Sequence, residues 1–265
     1  MLLGTNVTSA ANLRDGERFF AAGLVDFHEL LIDNFVHLDP NAVARRLADR
    51  PVGLHIMVSR FLDRDRDELA RLGNRLRRFV RTLRPIYVSD HLGHYEVDGR
   101  LLPELVEVDY NDRSLFTAIA RWQDMLACTL LLENFPSGSD NGRGQVEFFE
   151  ELARQVPVLP LFDLSNAVIA EKNGGAVAED WLCSSLPLSA CHISGYRTSA
   201  VDPDLLIDSH DCAIAEDSWR FLSETLSRRG APDTLVVERD VQGDTENWAA
   251  DLRQARRLCL TESRP

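Results

Sequence analysis

A (β/α)8 barrel of the α/β class, the TIM barrel, is the fold this sequence predicts, and three observations carry the prediction. Eight short apolar, β-branched runs recur from end to end. Most are followed by an amphipathic segment, and 265 residues is about the length such a barrel needs. In order, the strand candidates are Leu2–Val7, Val25–Ile32, Val52–Ser59, Ile86–Leu92, Thr129–Phe135, Val158–Asn166, Leu188–Gly195 and Thr234–Asp240, each bounded by turn residues. Helical periodicity marks Asp65–Leu83, Arg113–Leu126, Gln145–Gln155, Ala213–Arg228 and Thr245–Leu258 among the intervening segments. A doubly wound open sheet is the competing fold, but neither a GxGxxG nor a GxxxxGK[ST] fingerprint occurs. No Pro/Gly/Ser linker divides the chain, so residues 1–265 read as one domain. Two stretches interrupt the alternation, Gly93–Asp112 and Ser137–Gly144. Both follow strands, where barrels build their sites, and both are expected to wall the substrate.

Composition narrows the function. The chain is 45% hydrophobic and 27% charged, a profile that suits a globular protein. It contains no apolar run near the ~20 residues of a membrane span. The start, MLLGTNVTSA, lacks a basic segment followed by an apolar one, so neither membrane nor secretion is expected. Net charge is −13 and Lys172 is the only lysine, which counts against nucleic acid as a partner. Arg71, Arg75, Arg77, Arg78, Arg81 and Arg84 are spaced as the solvated face of a helix. Five cysteines without a CxxC pair suggest a reducing cytoplasm, and Cys191, inside an apolar run, reads as core.

Ionisable residues gather where a barrel prefers Val, Ile and Leu. His55 lies in the third strand and His91 ends the fourth, in SDH. Glu133 lies in the fifth, Asp163 and Asn166 in the sixth and His192 in the seventh. Asp208 and His210 follow in a loop, and Glu238 and Asp240 end the eighth. Singly, each has an ordinary explanation: a strand histidine is usually a satisfied core residue, and a strand-end aspartate usually caps the next helix. Together they would converge on one rim and repel, and bound cations resolve that conflict. Imidazole plus carboxylate without thiolate suits zinc, iron or manganese, and this many donors implies two or three ions. His28, His37 and His94 fall outside the pattern and read as surface or loop histidines.

The order of these residues resembles the trinuclear-metal barrels related to endonuclease IV and xylose isomerase. The words SDHL (Ser89–Leu92), LENFPS (Leu132–Ser137), FDLSN (Phe162–Asn166), HISGY (His192–Tyr196), DSHD (Asp208–Asp211) and VERD (Val237–Asp240) resemble the multinuclear non-haem iron-dependent oxidative enzymes. FHELLIDNFVHL (Phe27–Leu38), LHIMVSRFLDRDRDELARLGNRLRRF (Leu54–Phe79) and RWQDML (Arg121–Leu126) are similar to the methanobactin-biosynthesis branch of that family. The resemblance implies iron ligands at His55, His91, Glu133, Asp163, Asn166, His192, Asp208 and His210, with Glu238 or Asp240 last. Asn166 stands where the nucleases carry a histidine. The resemblance also implies two or three irons of mixed ferrous and ferric state, with O2 as co-substrate. The implied reaction turns a cysteine of a ribosomally made precursor peptide into an oxazolone with an adjacent thioamide. It further implies a heterodimer with an MbnC-like partner, and gives Asp240, if not a ligand, a role as base for the amide proton. Other peptide chemistry within the family, a zinc nuclease, a sugar isomerase or epimerase, and a non-catalytic metal scaffold are the competing readings.

Overall fold

The computed structural model describes residues 1–262 apart from residues 49 and 242. The chain runs β1 (Leu2–Val7), α1 (Ala10–Ala21), β2 (Phe27–Leu31), α2 (Pro40–Leu47), β3 (Val52–Ile56), α3 (Arg66–Leu83), β4 (Val88–His91), β5 (His94–Val97), β6 (Arg100–Val106) and α4 (Leu115–Leu126). It continues β7 (Leu130–Glu133), α5 (Gln145–Gln155), β8 (Leu159–Asp163), α6 (Leu164–Lys172), α7 (Ala178–Cys183), β9 (Ala190–Ile193), β10 (Tyr196–Thr198), β11 (Leu206–Asp208), α8 (Glu216–Arg229), β12 (Thr234–Val237) and α9 (Thr245–Glu262). Eight strands close a parallel barrel in the order β1-β12-β9-β8-β7-β4-β3-β2. Closure is made by β1, which pairs Leu2 with Thr234 on one side and Gly4 with Phe27 on the other. Each of the eight predicted runs contains one barrel strand.

Side chains alternate inward and outward along each strand, so the wall has two faces with different contents. The outward residues, such as Leu54, Leu130, Leu132, Cys191 and Leu235, pack under the helices in the main apolar core. The inward residues form a separate apolar cluster of Phe27, Tyr87, Leu131, Leu161, Ala190 and Val236. Gly4 and Gly53 complete this plug by leaving room. A Cβ on Gly4 would meet the Phe27 ring at 2.5 Å, and one on Gly53 would meet Tyr87 at 2.8 Å. Two residues further along every strand, the inward position is polar: Asn6, Glu29, His55, Ser89, Glu133, Asp163, His192 and Glu238, all buried. The barrel is therefore filled in layers, apolar below and polar at the C-terminal end.

Both interruptions seen in the sequence are structured. Gly93–Asp112 holds the two-stranded β5–β6 hairpin, and Asp140–Gly144 makes a single 3₁₀ turn. A second hairpin, β10–β11, rises after β9, where the sequence pattern gives no sign of one. Asp63 secures the first hairpin, accepting from His94 Nδ1 and from the Tyr95 amide, each at 2.6 Å. Lys172 and Asp217 grip Tyr196 at the base of the second. Behind β12, fully buried Arg239 pairs with Asp244 and with Asp251 of α9, which ties the last strand to the last helix. The arginine-rich face of α3 is solvated except at Arg77, whose guanidinium donates to the Met125 carbonyl at the end of α4.

Two expectations need correction. Asn166 is not on a strand: β8 stops at Asp163, whose carboxylate accepts from the Asn166 amide and caps α6, so Asn166 sits in the first helical turn. His28 is no surface histidine. It points outward from β2 into the packing against α1, fully buried, with Glu17 3.9 Å away and neither ring nitrogen hydrogen-bonded. Burial lowers its pKa to about 4. A histidine held neutral in the fold charges more readily when unfolded, so stability present above pH ~6.5 is lost as pH falls toward ~4, by up to about 3 kcal/mol. Urea denaturation across that window should therefore show wild type losing about 1–3 kcal/mol more than His28→Leu. Parallel pH curves for the two proteins would refute this.

Candidate metal centre

The polar layer brings together residues that are distant in sequence. His55 of β3 and His91 of β4 approach the same oxygen, Glu133 Oε2 of β7, through their Nε2 atoms at 3.5 and 3.2 Å. Ser89 fixes the His55 ring through Nδ1 at 2.8 Å, and the Ile56 carbonyl fixes His91 through Nδ1 at 3.1 Å. In both rings Nε2 is thereby the atom turned to the centre. The other oxygen of Glu133, Oε1, lies 3.9 Å from His192 Nδ1, and accepts from Asn166 Nδ2 at 3.3 Å. Glu238, just past β12, places Oε2 3.2 Å from His192 Nδ1 and 3.8 Å from His210 Nε2.

The remaining predicted residues complete the rim. Asp208 ends β11 and contacts His210 Nε2 at 2.7 Å, and its other oxygen accepts from the Ser194 hydroxyl. His210 adopts a left-handed backbone (φ 50°), which folds its imidazole back over the barrel mouth. Asp240 is the most peripheral. Its side chain is 47% exposed, 3.5 Å from His210 Nδ1, and it accepts from Asn6 Nδ2 at 2.8 Å. Contacts chain the ten residues singled out in the sequence into one cluster, Asp163 joining through Glu133 and His192, although Asp163 and His192 line neither of the two cavities that open on it. Glu238 lies within the polar layer and Asp240 on its edge. Glu29 is a neighbour that the sequence pattern does not single out: it reaches across from β2 to His192 Nε2 at 2.9 Å. Its one signal is a lone carboxylate inside the apolar run FHELL.

The donor set fits metal ions. Six buried atoms of this layer have no hydrogen-bond partner: Glu29 Oε1, Glu133 Oε2, Asp163 Oδ2, Asn166 Oδ1, His192 Nδ1 and Glu238 Oε2. Orphaned oxygens and nitrogens in a dry interior are costly unless a cation takes them. Three triads are compact enough to share an ion: His55–His91–Glu133, Glu133–Asp163–His192 and Glu29–His192–Glu238. Glu133 belongs to two of them. Protonation is strongly skewed across the cluster. Burial, reinforced by Asp163 and Glu238, pushes Glu133 well above the carboxylate range, and burial with Asp208 and Glu238 raises Asp163 to about 7. Burial and its histidine neighbours drive His55 down. Burial opposes the charged forms of His192 and His210, but Glu238 and the adjoining acids outweigh it and hold both imidazoles protonated.

Beside this cluster opens a cavity of about 620 Å³. Its floor includes His91, Glu133 and Asn166, and its walls come from β6, the loop at Gly138, and β11. The two expected wall segments both contribute, together with the second hairpin. Met57, Leu105, Leu205 and Ile207 make the lining largely apolar, and no lysine or arginine lines it among the described residues.

The closed eight-stranded parallel barrel, with helices between its strands, places the chain in the (β/α)8 class. Solved structures of that class superpose on nearly the whole chain. L-ribulose 3-epimerase matches with TM-score 0.64 and 17% identity, covering 98% of this chain and 95% of its own. Endonuclease IV from Thermus thermophilus matches with TM-score 0.57 and 15% identity, covering 99% and 100%. The particular family follows from sequence. Residues 14–259 match the model of the RiPP precursor modification enzymes MbnB/TglH/ChrH, and the chain belongs to that family, whose substrates are ribosomally made precursor peptides. A relative from Rhizorhabdus wittichii, named only a UPF0276 protein, is 29% identical over 252 residues, covering 90% of this chain and 86% of the relative.

Glu133 offers a direct test of the cluster. Glu133→Gln removes a buried acid held far from its ordinary pKa, so the metal-free protein should gain about 1 kcal/mol or stay unchanged in urea. Divalent metal uptake should fall by at least one equivalent in the same variant. A fully loaded Glu133→Gln protein would exclude Glu133 as a bridging donor.

Proposed function

We propose that this chain oxidises a cysteine of a ribosomally made precursor peptide of the methanobactin type, leaving an oxazolone and an adjacent thioamide. The observation that carries the reading is the layer of partnerless donors in a chain of the MbnB/TglH/ChrH family. Two or three irons, of mixed ferrous and ferric state, would be held by His55, His91, Glu133, Asp163, Asn166, His192, Asp208, His210 and Glu238, with Asp240 at the edge. Bound iron would supply one-electron redox chemistry and an anchor for the substrate thiolate. Four electrons and four protons leave the peptide, and O2 accepts them as two waters.

The chain's own residues supply the rest. Apolar walls at Met57, Leu105, Leu205 and Ile207 suit an uncharged peptide segment, which once seated would shield the adjoining cluster from water. The absence of lysine or arginine from that lining, among the described residues, speaks against phosphate-bearing substrates such as nucleic acid. The substrate provides the sulfur, in keeping with the position of Cys191 on the outward, helix-packed face of β9. Asp240 would take the amide proton, a role that its partial exposure and its hydrogen bond from Asn6 support. We further propose a heterodimer with an MbnC-like partner that holds the peptide, working in the cytoplasm. No helix among the described residues is long and apolar enough to cross a membrane.

The family description joins three kinds of enzyme, so a different modification of the peptide is the second reading. One experiment separates the readings. The protein is co-expressed with its MbnC-like partner and a cysteine-containing precursor peptide, and iron content, O2 uptake and peptide mass are measured. Iron-dependent loss of four hydrogens, with new near-ultraviolet absorbance, is the expected result. Iron-dependent O2 uptake with a different mass change would transfer the assignment to the second reading. Zinc loading without O2 uptake would remove both. Asp240→Asn should keep full iron and lose most turnover, and full turnover would end its role as base.

A further inference from the structure

The side of the metal centre that faces the barrel floor holds a further carboxylate–histidine contact, between the predicted ligand His192 and Glu29, which one triad admits as a donor and which the predicted ligand set leaves out. Glu29 Oε2 lies 2.9 Å from His192 Nε2 and 2.5 Å from the Tyr87 hydroxyl. Glu29 is 1% exposed, His192 is fully buried and Tyr87 is 8% exposed. A carboxylate only accepts, so both neighbours donate: Tyr87 gives its O–H, and the His192 proton sits on Nε2. The opposite nitrogen, Nδ1, then carries the lone pair once a cation displaces its proton. It is one of the orphaned atoms, aimed at Glu238 Oε2 and Glu133 Oε1. His55 and His91 show the opposite choice, with Nδ1 tied to Ser89 and to the Ile56 carbonyl and Nε2 turned inward. The fold thus sets separately, for each of these histidines, which ring nitrogen faces the centre.

The position of Tyr87 is itself built. Its ring belongs to the apolar plug, edge-on to Phe27 with centroids 6.2 Å apart. It occupies the space that any side chain at Gly53 would fill, with its hydroxyl 3.0 Å from where that Cβ would lie. A glycine in the middle of a fully buried strand costs stability, and here it admits the hydroxyl that points at Glu29. Tyr87, Glu29 and His192 lie on three different strands or their approaches, so neither helix packing nor strand pairing requires the alignment.

We propose that Glu29 and Tyr87 are positioning residues of the metal centre: Tyr87 orients Glu29, and Glu29 locks His192 with Nδ1 toward the metal and raises its basicity as a donor. This rests on the metal-centre reading above, but not on the peptide chemistry. Outer partners of this kind change metal affinity by about 10–100-fold when removed.

The test uses the whole chain loaded with zinc, labelled with ¹⁵N-histidine and read by long-range ¹H–¹⁵N NMR, with affinity from chelator competition. No peptide or O2 is involved. In the wild type, His192 should bind zinc through Nδ1 and carry its proton on Nε2. Glu29→Gln, which keeps an acceptor but not the charge, should retain that tautomer with an altered Nε2–H shift and bind zinc about 10-fold more weakly. Glu29→Leu should lose the fixed tautomer and bind about 100-fold more weakly, and Tyr87→Phe should weaken binding less than either. Gly53→Ala, which displaces Tyr87 without touching a donor, should copy Tyr87→Phe. Zinc on Nε2 of His192, or affinities within twofold of wild type in Glu29→Gln and Tyr87→Phe, would overturn the proposal. Loss of a whole zinc equivalent in Glu29→Gln with none in Tyr87→Phe would make Glu29 a ligand and overturn it too. A wild type that binds no zinc, iron or cobalt would remove the centre itself, a result visible before any variant is made.

Discussion

Eight strands closed into a tube give a period of two with only one inside, and everything else in this protein answers to that constraint. The inward positions near the floor are apolar or glycine, and the next inward positions are carboxylates, imidazoles or their hydrogen-bonding companions. The plug keeps water from entering below. Charges stacked above it lose hydration without gaining full hydrogen bonding, which raises the energy of every unpaired donor. Such a layer is stable as a set only when charges of opposite sign interleave within it.

The helices and loops serve the same layer from outside. Asp163 does two jobs, since one oxygen caps α6 while the other faces the centre without a partner. The start of that helix and the shape of the site are therefore one structural decision. Arg239 plays the matching part at the seam: it follows Glu238, points the other way, and is neutralised by two aspartates on the approach to and within α9. Trp122 of α4 does likewise for Asp90, the outward neighbour of His91, at 2.7 Å. At these strands the inward ligand candidate has an outward neighbour that is independently anchored, so the wall does not drift.

Much of this is legible in the sequence. Continuous apolar runs betray buried parallel strands, and histidines or acids interrupting such runs betray a polar end to the barrel. The resemblance then orders them. What escapes does so for physical reasons. Asn166 reads as strand because LFDLSN stays largely apolar up to Leu164, and only the cap made by Asp163 reveals the break. The β10–β11 hairpin is too short, and too exposed at Ile207, to show a period. His28 reads as surface because outward strand positions under a helix are as buried as inward ones, and sequence cannot tell the two sides apart. Glu29 stays hidden for the reason it matters: it lies two residues above Phe27, three strands around the barrel from its partner, and no spacing within one strand announces a contact between separate strands.

The plug has a consequence for how such a chain is inherited. Phe27 occupies the volume denied to Gly4, and Tyr87 the volume denied to Gly53. Neither glycine can grow while its aromatic stays, and neither aromatic can shrink without leaving a void. Drift at these four positions must therefore proceed in compensating pairs, aromatic to small together with glycine to larger, or not at all. The floor of the barrel is thus two two-letter words divided among separate strands. In the Tyr87–Gly53 pair, a neutral exchange of bulk would also carry away the hydroxyl beneath Glu29. Selection on the site would then be visible as rigidity in residues that touch no ligand.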